Sequence, residues 1–183
     1  MPCSISSIVF TALILVLFPT PHAASSSPLI KDICAIIKNN YNIDMCDKTL
    51  ESEPGVASAR NMYDLTVEIM KSSISRSNRT RHHIEILQQK NSTNPEVNAA
   101  LKQCHSSYDY AIGSTRSALA EVEEGEYQTA SYDLLLAATD ALLNCQEVVA
   151  SKVITDRIIV RGNKQARLFG YSAFVAVDKI PPP

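Results

Sequence analysis

The chain has 183 residues with 17 basic and 19 acidic side chains, so its formal net charge is −2. This balance lacks the positive footprint of a nucleic-acid-binding protein. Only 5 residues are glycine, and such a composition favours helices over a turn-rich sheet.

The N-terminal segment is predicted to be a signal peptide. An apolar run covers Ile5 to Phe18, which is shorter than a membrane span, and small residues follow it up to Ala24. We therefore expect residues 1–24 to be removed. Cys3 leaves with them, so four cysteines enter an oxidising compartment. No later stretch is apolar enough over sufficient length to span a bilayer, so no membrane partner is expected for the mature chain.

Residues 25–53 are predicted to form a small helical hairpin. Leu29 to Lys38 and Ile43 to Glu51 have helical patterns, but each is too short to be stable alone. Cys34 and Cys46 lie on either side of the turn between these pieces. A disulfide is therefore expected to join them.

A long helix is predicted from Gly55 to Lys90. Its inner face is marked by apolar side chains at Met62, Leu65, Ile69, Ile84 and Leu87. The middle of this face is polar, at Ser73, Ser77 and Thr80. A bend, a loosely packed core and a break in the helix are all compatible with that polar centre.

Two further helices are predicted to fold back on each other about Gly125. Apolar and small residues precede it every three or four positions, at Val97, Leu101, Cys104, Tyr108, Ala111, Thr115, Ala118 and Val122. The same rhythm follows it at Tyr127, Ser131, Leu134, Ala138, Ala141, Cys145 and Val148. Cys104 and Cys145 lie almost equally far from Gly125. Antiparallel pairing therefore brings their sulfurs to the same height, and a second disulfide is expected.

The last helix is predicted from Asp156 to Asp178, and a proline tail at residues 181–183 follows it. Its inward positions are Ile159, Gly162, Ala166, Phe169, Ala173 and Val177. The elements together predict an all-α fold, with an up-down four-helix bundle at residues 54–180 behind the disulfide-closed helical hairpin at 25–53.

No catalytic or metal-binding motif is visible, and we expect neither enzyme activity nor a cofactor. Apart from His105 beside Cys104, no histidine lies at ligand spacing from a cysteine, so structural disulfides are favoured over a metal or redox site. A carboxylate pair could suggest glycosidase chemistry. The candidates lie instead on an exposed helix end, at Glu121, Glu123, Glu124 and Glu126. Two N-glycosylation acceptors are predicted, Asn78 and Asn91.

The chain resembles the plant invertase inhibitor and pectin methylesterase inhibitor family, which includes pollen-allergen members. The resemblance covers about Ile30 to Ile180. It rests on Cys34 and Cys46 with Tyr41 between them, Leu50, Cys104, Gly125 with Tyr127, the Ala-rich stretch from Ala130 to Leu143, and Cys145. It implies a secreted protein that blocks a carbohydrate-active enzyme of the plant cell wall in a reversible one-to-one complex.

The target is expected to be a pectin methylesterase. Invertase inhibitors resemble one another in a Pro-Lys-Phe segment after the glycine of this turn, and the stretch here is Glu126-Tyr127-Gln128. An acid invertase of the cell wall or vacuole is the alternative target. The expected location is the extracellular space of the plant cell wall, the apoplast.

Docking of a bundle face over the active-site cleft is the expected mode of inhibition. The contact residues should lie on the outward sides of the helices between Arg60 and Tyr127. Aromatic and arginine side chains make the strongest anchors in interfaces, so we expect Tyr63, Arg76, Arg79 and Tyr110 to contact the partner.

A basic cluster, Arg76, Arg79 and Arg81, lies in the middle of the first bundle helix. A solvated helix face is the favoured interpretation, and attraction of an anionic pectin chain or of an acidic enzyme rim is the alternative. Three histidines would gain charge in an acidic apoplast and could tune partner binding: His82, His83 and His105.

A function of a different class also stays open. A secreted helical binding or interaction protein that inhibits nothing would have the same fold, and the polar stretch from Ser73 to Thr80 is compatible with a small-ligand carrier. The pro-region of a larger esterase is disfavoured, because no catalytic segment follows Pro183.

Overall fold

The computed structural model describes residues 27–91, 93–151 and 153–181. Every regular element in these ranges is a helix, so the predicted all-α class is confirmed. The predicted signal peptide at residues 1–24 lies outside the described residues, as do the last two prolines of the predicted tail.

A pair of short helices comes first. Its elements are α1 (Pro28–Ile36), a 3-10 turn (Ile37–Asn39) and α2 (Ile43–Glu51). The Asn42 side chain accepts a hydrogen bond from the Met45 N–H at 3.0 Å and so caps α2. Cys34 and Cys46 form the expected disulfide, with their Cα atoms 5.7 Å apart. Helices of this length are only marginally stable alone, so the disulfide stabilises the pair.

The first long helix starts later than predicted. A short helix α3 covers Pro54–Ala57, and α4 then covers Met62–Lys90. The Asn61 side chain accepts from the Asp64 N–H at 2.8 Å, and this cap sets the beginning of α4. Gly55, the predicted start, therefore belongs to α3.

The helical hairpin about Gly125 is present as predicted. Its first helix, α5, covers Pro95–Glu124, and Gly125 ends it in the left-handed conformation with φ 84°. Glycine adopts this conformation without a side-chain penalty. The returning helix consists of α6 (Tyr127–Leu136), a π-helical turn (Ala137–Ala141) and α7 (Leu142–Ala150). Cys104 and Cys145 are bonded, with Cα atoms 4.5 Å apart.

The π-helical turn is a departure from the predicted regular helix. It contacts the last helix, α8 (Arg157–Val177). A methyl group added at Gly170 of α8 would come within 2.9 Å of the Ala138 Cβ. Small residues on both sides permit this contact, and the sequence rhythm alone did not indicate it.

The bundle is up-down, with α4 packed against α5 and α8, and with α6 and α7 packed against α5 and α8. The side formed by α5, α6 and α7 is therefore opposite the side formed by α4 and α8. The core consists of two apolar clusters. One includes the hairpin of α1 and α2, here called the front hairpin, and the C-terminal half of α8. The other surrounds the Cys104–Cys145 disulfide.

The polar centre of α4 lies between these clusters and is buried. The helix is continuous there, so the polar residues do not mark a break. The Thr80 hydroxyl donates to the Arg76 carbonyl at 3.2 Å, which satisfies it within the helix. A methyl group at Gly162 of α8 would overlap the Thr80 side chain. The small polar residues therefore allow α4 and α8 to pack closely.

Candidate functional site

The four residues predicted to contact a partner line three different grooves. Tyr63 lines a groove of about 670 Å³ along the N-terminal part of α4. Arg76 and Arg79 line a groove of about 380 Å³ between α4 and α8. Tyr110 lines a third groove, of about 530 Å³, between α5 and the π-helical turn.

Arg76 is less exposed than expected for a contact residue, and its role in partner binding stays a prediction. Its Nε donates to the Glu53 carboxylate at 2.6 Å, and the two groups form an ion pair. One terminal nitrogen donates to Gln165 of α8 at 3.0 Å, and the guanidinium carbon lies 5.1 Å from the centre of the Phe169 ring. The side chain is only 19% exposed. Arg76 thus joins α4, α8 and the segment before α3.

Arg81 contacts α5 and does not form a basic cluster with the other two arginines. Its guanidinium donates to the Asp109 carboxylate of α5 at 2.6 Å. That hydrogen bond is the main reason that the pKa of Arg81 is raised. The cluster of three arginines is therefore divided, with Arg76 directed to α8, Arg81 to α5 and only Arg79 left exposed.

Arg79 instead faces two arginines that sequence reasoning missed. Arg157 and Arg161 come from α8 and line the same groove. None of the described carboxylates lies within ion-pair distance of these three guanidinium groups. Their i, i+4 spacing on α8 was visible in the sequence, but their position beside Arg79 depends on how the helices pack.

Each of the three histidines among the described residues contacts a carboxylate. The His82 and His105 rings lie 3.2 Å and 3.1 Å from the two oxygens of Glu85. The hydrogen bond with His105, and then that with His82, holds the pKa of Glu85 below its usual range. His105 also lies 3.0 Å from Asp109. These contacts join α4 to α5 and form a polar network rather than a catalytic pair.

His83 contacts the cap of α8. Its Nε2 lies 3.1 Å from Asp156, whose carboxylate also accepts the N–H groups of Ile158 and Ile159. Burial alone would raise the pKa of Asp156, but these hydrogen bonds outweigh it and hold the pKa below its usual value.

The groove at Tyr110 is lined by polar side chains from α5 and from the returning helix. Tyr110 is 52% exposed, and its surroundings include Gln103, Ser106, Asp140 and Asn144. Gln103 donates to the Asn144 carbonyl at 3.5 Å across the two helices. The groove therefore combines one aromatic surface with several hydrogen-bonding groups.

Two further exposed apolar residues come from the helix that returns beside α5. They are Tyr132 of α6, which is 61% exposed, and Leu143 of α7. Sequence reasoning missed Tyr132, although its place outside the inward stripe of α6 was a usable signal. The Cys104–Cys145 disulfide joins α5 to α7. We call these three exposed residues of α5, α6 and α7, namely Tyr110, Tyr132 and Leu143, the tyrosine face.

The two predicted glycosylation acceptors both use their amide groups within the fold. Asn78 donates to the Ile74 carbonyl at 2.9 Å, and Asn91 donates to the Leu87 carbonyl at 2.8 Å. Glycosylation of either residue stays a prediction.

Within the described ranges, no group of three His, Cys, Asp or Glu side chains is placed to hold a metal ion. None of the helices in the part of the chain that the structure describes combines the length and the apolarity of a membrane span.

Comparison with known proteins adds a family and a fold. The model of the plant invertase/pectin methylesterase inhibitor family matches residues 28–166. A mutant form of a pectin methylesterase inhibitor from Arabidopsis has a similar structure, with a TM-score of 0.72 and 20% identity over 84% of this chain and 99% of that one. A pectin methylesterase inhibitor from Arabidopsis thaliana aligns with a TM-score of 0.64 and 19% identity, over 87% of this chain and 100% of that one. No curated protein sequence matches the chain.

Proposed function

The chain belongs to the plant invertase/pectin methylesterase inhibitor family, and from this membership we propose that it is a secreted inhibitor of a pectin methylesterase. Members of this family are inhibitors and not enzymes, so the chain is an inhibitor of this type. The proposed location is the apoplast, where a disulfide-bonded protein and a cell-wall esterase would meet.

The sequence of the turn before α6 supports the esterase as target. Glu126 precedes α6, and Tyr127 and Gln128 begin it. This chain therefore lacks the Pro-Lys-Phe segment in which invertase inhibitors resemble one another. An acid invertase is the second candidate, because the family description includes invertase inhibitors.

The tyrosine face is the proposed docking surface. The observation that carries this proposal is the exposure of Tyr110 on α5 and of Tyr132 on α6, two helices that pack against each other, while a disulfide joins α5 to the later part of the same returning helix. Tyrosine adds a large apolar surface and a hydroxyl group at low cost in side-chain entropy, and such residues often dominate interface energies. A surface held rigid before binding also loses less entropy when the complex forms.

We propose that this face lies over the active-site cleft of the esterase in a one-to-one complex. Of the four predicted contact residues, the proposal keeps Tyr110, because Tyr63 and Arg79 line other grooves. It adds Tyr132, which was not predicted. A carrier function is less well supported, because the polar centre of α4 packs closely against α8.

The proposal is tested by a paired titration of oxidised mature protein into a pectin methylesterase and into an acid invertase at apoplastic pH. We expect saturable loss of esterase activity alone. Loss of invertase activity alone would transfer the proposal to the second candidate. If a folded, oxidised protein slowed neither enzyme, the proposal would be rejected.

The docking surface is tested with a matched pair of variants. Tyr110→Ala with Tyr132→Ala should weaken inhibition of the esterase by about tenfold or more, because each change removes an aromatic anchor. Tyr63→Ala is the control, since it removes an exposed tyrosine from a different groove. An equal loss in the control would contradict the assignment of the docking surface.

A further inference from the structure

We propose that the groove between α4 and α8 binds an acidic polysaccharide whose sugars carry carboxylates. Its lining residues include Arg79 from α4, and Arg157 and Arg161 from α8. We call this groove, with its three exposed arginines, the arginine groove. The polysaccharide class rests on the proposed function, because a pectin methylesterase converts uncharged methyl esters into free carboxylates along a sugar chain.

The first step in the argument is the charge of the groove. All three side chains are exposed, and among the described residues none has a carboxylate partner. The α8 segment from Arg157 to Val177 contains four basic residues and no acidic one. This local excess of positive charge occurs in a chain whose formal net charge is −2, so general basicity does not explain it.

The second step is the energetic cost of this arrangement. Arg157 and Arg161 are separated by one helical turn, and like charges at this spacing destabilise a helix. Arg79 adds a third positive charge from the neighbouring helix. In a purely structural surface, carboxylates at neighbouring positions would offset such repulsion, as Asp109 does for Arg81. A bound polyanion would offset it here.

The third step is shape. The groove has a volume of about 380 Å³, and its lining residues include Gly162 and Thr80, which are in close contact across the two helices. Guanidinium groups stand on both helices that form it. Carboxylates match the planar donors of arginine in paired hydrogen bonds. A chain with regularly repeated carboxylates could therefore contact several arginines along the groove.

A polysaccharide suits this groove better than an acidic protein surface does. Protein interfaces place aromatic and apolar anchors at their centre, whereas Ile158 is the one large apolar side chain among the residues that line this groove. The groove also lies opposite the tyrosine face, so a docked esterase would leave it open. The inhibitor could thus be retained on pectin that is already de-esterified.

The test measures binding of the full mature, oxidised protein to a de-esterified galacturonate oligomer by calorimetry. A fully methyl-esterified oligomer of equal length and a polyglutamate chain serve as comparison ligands. We expect the de-esterified oligomer to bind and the esterified one not to bind. Equal binding of polyglutamate would show a general polyanion surface and would overturn the polysaccharide assignment.

The variant combines Arg79→Gln, Arg157→Gln and Arg161→Gln. We expect its Kd for the de-esterified oligomer to rise by about tenfold or more, since each change removes charge-assisted hydrogen bonds. Circular dichroism and thermal unfolding confirm that the variant is folded. An unchanged Kd would overturn the proposal.

A matched control removes three exposed positive charges elsewhere, through Arg60→Gln, Lys102→Gln and Arg116→Gln. Its Kd should stay close to that of the parent protein, and a loss equal to that of the groove variant would show that only net charge matters. Direct binding of the esterase, measured without pectin, keeps the two proposals separate. If the parent protein bound esterase but not the oligomer, and the groove variant lost esterase binding, the groove would belong to the protein interface.

Discussion

Arg76 and Arg79 are separated by a single turn of α4, yet the fold gives them different roles. Arg76 is held by Glu53 and Gln165 and lies over Phe169, whereas Arg79 is exposed. The residue type alone does not distinguish an arginine that joins helices from one that is exposed to solvent. The difference comes from which neighbouring elements carry acceptors.

Replacement of Arg76 should therefore destabilise the protein. Arg76→Ala leaves Glu53 without its partner in a half-buried position, and we expect the free energy of unfolding to fall by about 1–3 kcal/mol in urea titrations. Arg79→Ala is the control and should change it by less than about 0.5 kcal/mol. Similar losses in both variants would contradict the different roles described here.

Glu121 at the end of α5 has an unfavourable environment. Burial raises its pKa, and the charges of Asp133, Glu124 and Glu126 raise it further. One of its carboxylate oxygens is buried without a hydrogen-bond partner among the described residues. The folded protein thus binds this proton more tightly than the unfolded chain, so stability is lost as the pH rises from the ordinary glutamate pKa through the raised one.

Glu121→Gln should accordingly raise the melting temperature at neutral pH. The gain should shrink as the pH falls below the ordinary glutamate range, about pH 4, because the native side chain is then protonated as well. Thermal unfolding at several pH values measures this trend, with Glu147→Gln as an exposed control. A gain that stays constant with pH would show that the charge of Glu121 is not its cause.

At the scale of the elements, the Cys104–Cys145 disulfide has two effects. It closes a loop between positions that are 41 residues apart, and it fixes α5 relative to α7 beneath the tyrosine face. The chain-entropy model gives about 4 kcal/mol for a loop of this length. Stability and the geometry of the docking surface therefore depend on the same bond.

Replacement of both cysteines by serine should lower the free energy of unfolding by about 4 kcal/mol and weaken esterase inhibition. Urea unfolding and inhibition titrations measure the two effects. The pair Cys34→Ser and Cys46→Ser is the comparison, since that bridge closes a shorter loop in the front hairpin. Full inhibition by a folded Cys104→Ser, Cys145→Ser variant would argue against a rigid docking surface.

At the scale of the whole molecule, the bundle presents two different surfaces on opposite sides. The tyrosine face combines exposed aromatic groups with polar neighbours, and the arginine groove carries three arginines that have no described carboxylate partner. A bundle of antiparallel helices keeps such surfaces apart, because its core lies between them.

This separation predicts that each set of substitutions affects one ligand only. The arginine groove variant should bind esterase with an unchanged Kd, and the Tyr110→Ala, Tyr132→Ala variant should bind the galacturonate oligomer with an unchanged Kd. Calorimetry with each ligand alone measures all four combinations. Loss of both activities in either folded variant would mean that the two surfaces are not independent.

The sequence was sufficient to predict the helical class, the hairpin about Gly125 and both disulfides. Apolar residues at three- and four-residue intervals indicate the buried side of a helix, and the separations of Cys104 and Cys145 from one turn determine their relative height. The resemblance to the inhibitor family came from the same cysteine layout. These features depend on the spacing of residues along the chain, which the amino-acid sequence gives directly.

Only the tertiary structure decided which exposed residues share a surface. It placed Arg157 and Arg161 beside Arg79, directed Arg76 and Arg81 to carboxylates on other elements, and set Tyr63 and Tyr110 in different grooves. It also placed a π-helical turn at the contact between Ala138 and Gly170. The physical reason is that helical periodicity determines which side of a helix is buried, whereas the neighbours of its exposed side depend on the packing of helices that are distant in sequence.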